Sequence, residues 1–300
     1  MFAGKFYEED KKSLNNQIET CFYSKLGPQD MPKLTSKKTT KIFGAVSPHA
    51  GYYYSGAGMA FVYKEIAEIE KRAMPDVFII LGTNHTGMNN FDFSLSLEDF
   101  ETPLGIAENE KSLTELIIQN KNIEILANRD EAPHLQEHSI EVQLPFIQFI
   151  YNLKNKNFTF VPIIVCSNDL DKIKKFSETL SEIIKKYELE NKKKVMIIAS
   201  SDMTHYGLSY GFLPFSSKEA KERMITLDGN AIQSILKCDI KNFHEKAKNM
   251  TICGTFTIIT MLETIRKLGA KKGFLLKYYN SGDITKDYGS VVGYASMIFK

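Results

Sequence analysis

Short apolar segments alternate with segments of helical spacing along this chain, and that alternation constrains the fold more than any other feature. Segments rich in β-branched or aromatic residues predict strands at 42–47, 76–82, 158–165, 194–200, 273–279 and 290–299, the first five buried on both faces. Apolar residues spaced by three or four predict amphipathic helices at 57–70, 109–120, 137–152, 169–187, 217–236 and 254–268. We predict an α/β fold, a single domain over residues 1–300 in which helices flank a central mixed β-sheet.

The composition sets the size of the core and argues against two kinds of partner. With 300 residues, 43% of them hydrophobic, the chain can build one large core or two modest ones. Basic and acidic side chains nearly cancel, 38 against 36, so no global field attracts nucleic acid or an anionic membrane. Arginine, the residue best suited to bidentate phosphate contacts, occurs only at positions 72, 129, 223 and 266. We expect neither nucleic-acid nor membrane partners.

The N-terminal segment and the cysteines favour a cytoplasmic protein. The start of the chain, "MFAGKFYEEDKK", lacks a basic stretch followed by an apolar core, so we expect no signal peptide. No apolar run reaches the roughly 20 residues that a membrane-spanning helix needs. The four cysteines include no Cys-x-x-Cys pair, which is typical of reduced thiols in a cytosolic protein.

Two histidines directly follow predicted strands. His49 lies in "SPHAGYYYSG" after the first strand, and His85 lies in "LGTNHTG" after the second. Sites in open α/β sheets form beyond the carboxyl ends of strands, and the flanking glycines allow close approach of the backbone. One such histidine is more often a hydrogen-bonding loop residue than a ligand. Two at equivalent strand ends make a metal site an equal alternative.

The predicted strand at 194–200 also runs into a polar segment that contains a histidine, "IIASSDMTHYG". Asp202 and His205 are three residues apart and would touch if this segment turned helically. The carboxylate would then orient the imidazole and raise its basicity, as a general base requires. The alternative is an ordinary helix cap by Ser201 or Asp202, with His205 on the surface.

Cys253 differs from the other cysteines in its position. It precedes an apolar helix in "MTICGTFTIIT", where the positive end of the helix dipole favours a thiolate that can bind metal. The alternative is that Cys253 is a small buried hydrophobe, which is how we interpret Cys21, Cys166 and Cys238. The polar segment "NSGD" at 280–283 is expected to form a plain turn.

A different metal site is suggested by His134-x-x-Glu137-His138, the pattern of one class of zinc peptidases. Two histidines four apart on a helix share a face, and the glutamate could act as the base. Pro133 and the acidic segment before it place His134 ahead of the helix, so the two imidazoles would not share a face. We therefore expect His138 at the start of that helix, beside the site formed at the strand ends.

Several motifs together resemble those of one family. They occur in the family's order between about residues 3 and 298: "GKFYEED", "SPHAGYYYSG", "LGTNHTG", "EHSIEVQLPF", "SSDMTHYG", "ICG" and "YYNSGD" followed by "VVGYA". The chain is identified as a member of the Memo family, and resembles the members called AmmeMemoRadiSam system protein B. This resemblance implies a fold similar to that of class III extradiol dioxygenases, which use non-haem iron. In that fold a central sheet is flanked by helices.

The resemblance also implies roles for individual residues. His49 and His85 match the family's metal-binding histidines, and Cys253 matches its cysteine ligand, which stands where the dioxygenases have a glutamate. His205, with Asp202 beside it, looks like the dioxygenases' catalytic base. His138 looks like their second active-site histidine, which contacts substrate or oxygen.

These implications leave the metal and the reaction open. A thiolate in place of a carboxylate shifts metal preference from Fe(II) toward Cu(I) or Zn(II), so iron or copper is the expected cofactor, with zinc as an alternative and no organic cofactor. One hypothesis is a dioxygenase-like, metal-dependent oxidoreductase. The other is a non-enzymatic regulatory protein that binds a small molecule or peptide in the same crevice. Family association also implies a radical SAM protein as a partner.

Overall fold

The computed structural model describes residues 2–300, and its centre is one nine-stranded β-sheet. A separate two-stranded sheet pairs β4 (Phe100–Thr102) with β5 (Gly105–Ala107). The strands of the main sheet are β1 (Gly44–Ser47), β2 (Val77–Thr83), β3 (Phe93–Leu95), β6 (Ala127–Arg129), β7 (Thr159–Val165), β8 (Val195–Ser200), β9 (His205–Gly207), β10 (Gly273–Asn280) and β11 (Ser290–Phe299).

The main sheet is mixed, with a parallel centre. Its strand order is β10-β11-β1-β8-β2-β7-β3-β6, and β9 pairs with β11 outside this path. Strands β1, β8, β2 and β7 run parallel, so their carboxyl ends meet at one edge, whereas β11 is antiparallel to β1, β9 and β10. Loops that leave β1, β2 and β8 are therefore neighbours, which is the arrangement that builds a site.

Helices cover both faces of the sheet. They are α1 (Lys11–Tyr23), α2 (Tyr52–Ala67), α3 (Lys111–Ile118), α4 (Leu144–Leu153), α5 (Leu170–Asn191), α6 (Ala220–Leu236), α7 (Ile240–Ala247), α8 (Thr255–Leu268) and α9 (Ser281–Thr285). One core contains Ile79 of β2 and the apolar stripes of α5 and α8. The other contains Ile80 of β2 and the stripes of α1, α2 and α4. Successive residues of β2 thus serve opposite faces, as the pleat requires.

The α/β class and the mixed sheet flanked by helices are confirmed, and each of the six predicted strands is present with its ends within two residues of the predicted bounds. Two expectations are wrong. β10 is an edge strand rather than one buried on both faces, since Phe274 and Leu275 are 42% and 41% exposed. The segment 280–283 is not a plain turn, because Asn280 caps α9 through its side chain.

Three predicted helices differ most from the structure: α2 begins at Tyr52 rather than at residue 57, α5 continues to Asn191 rather than ending at residue 187, and the third difference is larger. The segment 137–152 is not a single helix: a short 3-10 turn, Glu141–Gln143, precedes α4. His138 lies before that turn, while Ile140, Leu144 and Ile147 are buried as the pattern indicates. The loop that carries His138 is therefore irregular, and it is free to follow the edge of the sheet.

Candidate metal centre

Three histidines from three loops meet at the carboxyl edge of the parallel strands. His49 follows β1, His85 follows β2, and His138 comes from the loop before α4. Each offers a ring nitrogen, and these atoms lie within 4.8 Å of one another. The ring centroid of His49 lies 5.1 Å from that of His85 and 5.3 Å from that of His138. Within residues 2–300 this group could hold a metal ion, and it unites the two histidines expected at the strand ends with one that was expected to contact the substrate.

A buried polar network fixes the proton on His49. The hydroxyl of Ser200 must donate to the carbonyl oxygen of Ser139, 2.6 Å away, because a carbonyl can only accept. Gln143 Nε2 donates to the same hydroxyl oxygen, at 2.9 Å. His49 Nδ1, 3.1 Å from that oxygen, therefore carries the ring proton and donates it. The lone pair of His49 Nε2 is left for the site.

Glu137 likewise determines which ring nitrogen of His85 carries the proton. Its carboxylate oxygens lie 3.0 and 3.1 Å from His85 Nδ1, and one of them also accepts the backbone N–H of His85 at 2.8 Å. Burial alone would raise the pKa of Glu137, but the hydrogen bonds from His85 and the backbone N–H of Ser139 lower it to about 2. The ionised carboxylate holds the proton of His85 on Nδ1, so Nε2 of the neutral ring can bind a metal.

His138 is positioned by stacking and by the same carboxylate. Its ring stacks on Phe6 at a centroid distance of 4.2 Å, and its Nδ1 lies 3.4 Å from Glu137 Oε1. The rings of His138 and His85 are also stacked, with centroids 4.9 Å apart. The N-terminal segment therefore forms one wall of the histidine group.

Burial keeps two of these imidazoles neutral. Burial, and after it the neighbouring His85, lowers the pKa of His49 from 6.5 to about 3. Burial likewise lowers the pKa of His138 to about 3, with His49 as the next cause. A neutral imidazole is the form that binds a metal ion, so protons do not compete for these two rings near neutral pH.

Cys253 lies beside His49, just ahead of α8. Its Sγ is 3.2 Å from His49 Nε2 and accepts the backbone N–H of Asp202 at 3.3 Å. A Cβ on Gly254 would lie 2.5 Å from the Cβ of Ser201, so only glycine lets the start of α8 approach the end of β8 this closely. Burial and then the Asp202 carboxylate raise the pKa of the Cys253 thiol above its ordinary 9.0, which is opposite to the direction expected from the helix dipole.

Asp202 and His205 lie near the group without forming the pair expected from sequence. The segment between β8 and β9 is not helical, and Asp202 Oδ1 instead accepts the backbone N–H of His49 at 2.8 Å. His205 Nδ1 lies 3.1 Å from the carbonyl oxygens of Met203 and Thr251, so it donates there. In the neutral ring the lone pair of His205 is then on Nε2.

A buried carboxylate supports the backbone that carries His205. Asp228 accepts from the Thr204 hydroxyl at 2.5 Å and from the Tyr278 hydroxyl at 2.7 Å. Burial raises the pKa of Asp228 to about 6, although these hydrogen bonds oppose the rise. Asp228 has no cationic partner among these contacts, so its ionised form is costly.

His134 does not join the group. Its Nε2 lies 3.0 Å from the carbonyl oxygen of Ser94, and its Nδ1 is buried without a hydrogen-bond partner. Glu137, the base of the peptidase pattern, is already engaged by His85 and His138. The motif therefore contributes His138 and Glu137 to one site and His134 to a separate loop.

A cavity of about 420 Å³ adjoins the histidine group. Asp202 and His205 contribute to its lining, together with Ala50, Tyr54, Tyr210, Ser281, Thr285, Asp287, Ser290, Val292 and Tyr294. Because Asp202 also contacts His49 and Cys253, the cavity opens beside the candidate metal centre.

Comparison with known proteins agrees with the motifs. The sequence profile of a family described as Memo-like protein matches residues 1–298. A MEMO1 family protein from Saccharolobus solfataricus is 37% identical over 302 residues, which cover 99% of this chain and 97% of the relative. The chain belongs to the Memo family. A MEMO1 family protein from Methanopyrus kandleri shares 33% identity over 300 residues, with the same coverage of both chains.

Two residues of this Memo-family site were not given their roles from sequence. The sequence does not single out Ser200, and it suggests Glu137 only as a peptidase base. Their partners are remote in sequence: 151 positions separate Ser200 from His49, and 52 separate Glu137 from His85. The available signal was the position of Ser200 at the end of β8, beside β1 and β2.

Over residues 2–300, no helix is long and apolar enough to cross a membrane.

Proposed function

We propose that this chain binds one iron or copper ion through His49, His85 and Cys253 and acts as a metal-dependent oxidoreductase. The observation that carries the proposal is the fixed tautomer of the two histidines. Ser200 and Glu137 occupy the Nδ1 sides of His49 and His85, so both Nε2 lone pairs are available in the same group. Cys253 Sγ, 3.2 Å from His49 Nε2, is the third donor of the proposed set.

One pair of the proposed donors has the spacing of such a site, although the group of atoms within 4.8 Å of one another contains His138 and not Cys253. In a tetrahedral site with metal–nitrogen and metal–sulfur bonds of about 2.0 and 2.3 Å, neighbouring ligand atoms lie about 3.3 to 3.6 Å apart. The 3.2 Å between His49 Nε2 and Cys253 Sγ is close to this spacing. Imidazole suits iron, copper and zinc, and thiolate favours copper(I) and zinc among them. Because its pKa is raised, the Cys253 thiol keeps its proton in the metal-free protein. Binding of the metal would displace that proton.

His138 lies in reach of the same ion. Its ring nitrogen belongs to the group within 4.8 Å, and its outer face is covered by Phe6. We assign it to the open side of the site, where it contacts substrate. A His138→Ala variant tests this assignment, because lost turnover with retained metal supports it and lost metal makes His138 a ligand.

When bound, iron or copper would supply redox chemistry and Lewis acidity that the side chains lack. The chain's own contribution is proton handling. His205 keeps its proton on Nδ1 toward two carbonyls and offers Nε2 as an acceptor, and it lines the cavity together with Asp202. His205 is the proposed base, and Asp202 is a positioning residue that holds the backbone of His49.

The first experiment is anaerobic purification followed by elemental analysis and metal titration. Wild type is compared with Cys253→Ala and with His134→Ala, the matched control in the neighbouring loop. The proposal predicts about one iron or copper per chain in the wild type and in His134→Ala, and a large loss in Cys253→Ala. Retained metal in Cys253→Ala with loss in His134→Ala would contradict the proposal and favour the zinc peptidase pattern.

A second experiment separates an enzyme from a regulatory binding protein. Oxygen uptake is followed for the iron-loaded protein with a panel of catechols, and His205→Gln serves as the inactive control. Uptake that depends on His205 supports the oxidoreductase. Tight ligand binding without uptake by either the iron-loaded or the copper-loaded protein would replace it with a non-enzymatic role, in which a radical SAM protein is the partner to test first.

A further inference from the structure

The cavity beside the metal centre has a deep end and a rim of different character. Asp202 and Tyr294 lie at the deep end, with exposures of only 3% and 2%. Tyr54 and Tyr210 are about half-exposed at the rim, and Asp287 is exposed there. At about 420 Å³ the cavity is within the range of roughly 300 to 1,000 Å³ that is usual for small-molecule sites.

Aromatic rings form much of this lining. Tyr54, Tyr210 and Tyr294 contribute from three different elements of the fold, and Tyr210 packs edge-on against His205 with centroids 5.0 Å apart. The faces of aromatic rings carry partial negative charge, which attracts ammonium groups. A set of tyrosines around one cavity is therefore suited to a flat ligand, to a cation, or to a molecule with both features.

The charged groups of the lining point to the sign of the ligand. Two carboxyl groups, those of Asp202 and Asp287, line the cavity, and the described lining residues include neither lysine nor arginine. The nearby Lys286 directs its Nζ to the carbonyl oxygen of Asp283, at 2.7 Å. An anionic ligand would therefore meet the rim carboxylate of Asp287 without a lysine or arginine to pair with, whereas a cation would be matched.

We infer that this cavity binds a small organic ammonium ion that carries an aromatic ring, and that it discriminates against the corresponding carboxylate. The inference names the ligand class of the proposed active site, so its catalytic meaning rests on the proposed function. Binding itself depends only on the cavity. The ammonium group is expected at the rim, between Asp287 and the rings of Tyr54 and Tyr210, with the ligand's ring directed toward Tyr294 at the deep end.

A charge series of phenols tests the inference with little change in shape. Tyramine, 4-ethylphenol and 4-hydroxyphenylacetate share a phenol ring and differ in the charge of a short arm. Their affinities are measured by calorimetry on the full chain, as purified and after metal removal. We expect tyramine to bind at least about tenfold more tightly than 4-hydroxyphenylacetate in both forms, a ratio worth about 1.4 kcal/mol, with 4-ethylphenol between them.

Two variants locate the preference. Asp287→Asn should reduce the ratio of tyramine to 4-hydroxyphenylacetate affinity severalfold, since it removes the rim carboxylate. Asp30→Asn, at an exposed aspartate outside this lining, is the matched control and should leave the ratio unchanged. Tyr210→Leu should weaken tyramine more than 4-hydroxyphenylacetate, because it removes a ring face that attracts the cation.

The inference is overturned if the carboxylate binds as tightly as the amine, if Asp287→Asn leaves the ratio intact, or if none of the three phenols binds at millimolar concentration. A parallel metal titration separates this failure from failure of the proposed function. Metal binding without amine selectivity rejects the ligand class alone. Amine selectivity in a chain that binds no metal rejects the metal centre alone.

Discussion

The two edges of the parallel sheet each carry a concave, charged surface, yet only one has the features of a site. At the amino edge, a cavity of about 350 Å³ is lined by Lys41, Glu188, Lys193 and Lys194 among others. Three of its four lysines are in ion pairs: Lys41 Nζ lies 2.9 Å from Glu188, Lys193 pairs with Glu110, and Lys194 Nζ lies 3.9 Å from Asp76. These three lysine side chains are partly solvated, so their pairs contribute little stability.

The carboxyl edge differs in how its polar atoms are used. Ser200 and Glu137 hold Nδ1 of His49 and of His85, which leaves Nε2 of each ring as the atom for a metal, and His49 Nε2 contacts Cys253 Sγ at 3.2 Å. Buried polar groups normally complete their hydrogen bonds within the protein. The carboxyl edge is distinguished by ring nitrogens gathered within 4.8 Å of one another, two of the rings held by buried partners, rather than by charge or cavity size.

The largest expected effect is on metal affinity. His85→Ala removes a ligand atom, and we expect affinity for iron or copper to fall by more than about 100-fold, beyond the 10- to 100-fold typical of losing an outer-shell partner. Lys41→Ala at the amino edge is the control, and its affinity should stay within about twofold of wild type. Competition with a chelator of known affinity measures both. An equal loss in the two variants would erase the distinction between the edges.

The pH dependence of stability should also separate the edges. Burial raises the pKa of Asp228 from 3.8 to about 6, so the folded state binds this proton more tightly than the unfolded chain does. Its contribution to stability is therefore present below pH 3.8 and is lost as the pH rises to 6, by about 2 to 3 kcal/mol. Glu110 at the amino edge has a lowered pKa, through hydrogen bonds to Lys193 and two hydroxyls that outweigh burial, and so acts in the opposite direction.

Urea denaturation at several pH values measures this effect. The stability of Asp228→Asn relative to wild type should rise between pH 4 and pH 7, because the variant does not bear the cost of a buried charge. For Glu110→Gln the relative stability should fall over the same range. A flat difference for Asp228→Asn would show that solvent or a counter-ion reaches this carboxylate.

A smaller effect is expected from Glu137→Gln. The amide keeps the shape of the side chain but no longer holds the proton on His85 Nδ1 with full charge, so metal affinity should fall about 10- to 100-fold. Thermal unfolding verifies that the variant folds, and chelator competition gives the affinity. Glu188→Gln at the amino edge is the matched control. Unchanged affinity in Glu137→Gln would mean that the carboxylate serves only the loop.

The smallest effect is predicted for the amino-edge pair itself. Lys41→Met breaks the contact with Glu188, and we expect it to change the free energy of unfolding by less than about 1 kcal/mol, with any loss reduced at high salt. A loss of several kcal/mol that persists in salt would place a buried, structural network at this edge as well.

The sequence predicted the strands and the strand-end histidines because both depend on local pattern. Buried strands such as 76–82 are short apolar runs, and a histidine after such a run must lie at the sheet edge. Helix α1 escaped notice because its buried residues are few among polar neighbours, and α7 because it is only eight residues long. The short strands β3, β6 and β9 each have three residues, too few to show alternation.

Other features could not be predicted because they depend on contacts between remote segments. The expected turn between Asp202 and His205 does not form because Thr204 bridges to Ile252 and His205 pairs with Val292. The expected thiolate at Cys253 is opposed by burial, which a helix position alone does not reveal. The likeness to class III extradiol dioxygenases and the catalytic roles stay predictions, since they concern chemistry rather than pattern.

X-ray absorption spectroscopy of the metal-loaded protein tests the central claim most directly. Spectra are compared for wild type and Cys253→Ser, each loaded with copper(I) and with iron(II) under anaerobic conditions. The account predicts one sulfur and at least two imidazole nitrogens around the metal in wild type, and loss of the sulfur in Cys253→Ser. A metal without sulfur in wild type, or one still bound when His49 and His85 are both replaced by alanine, would contradict it.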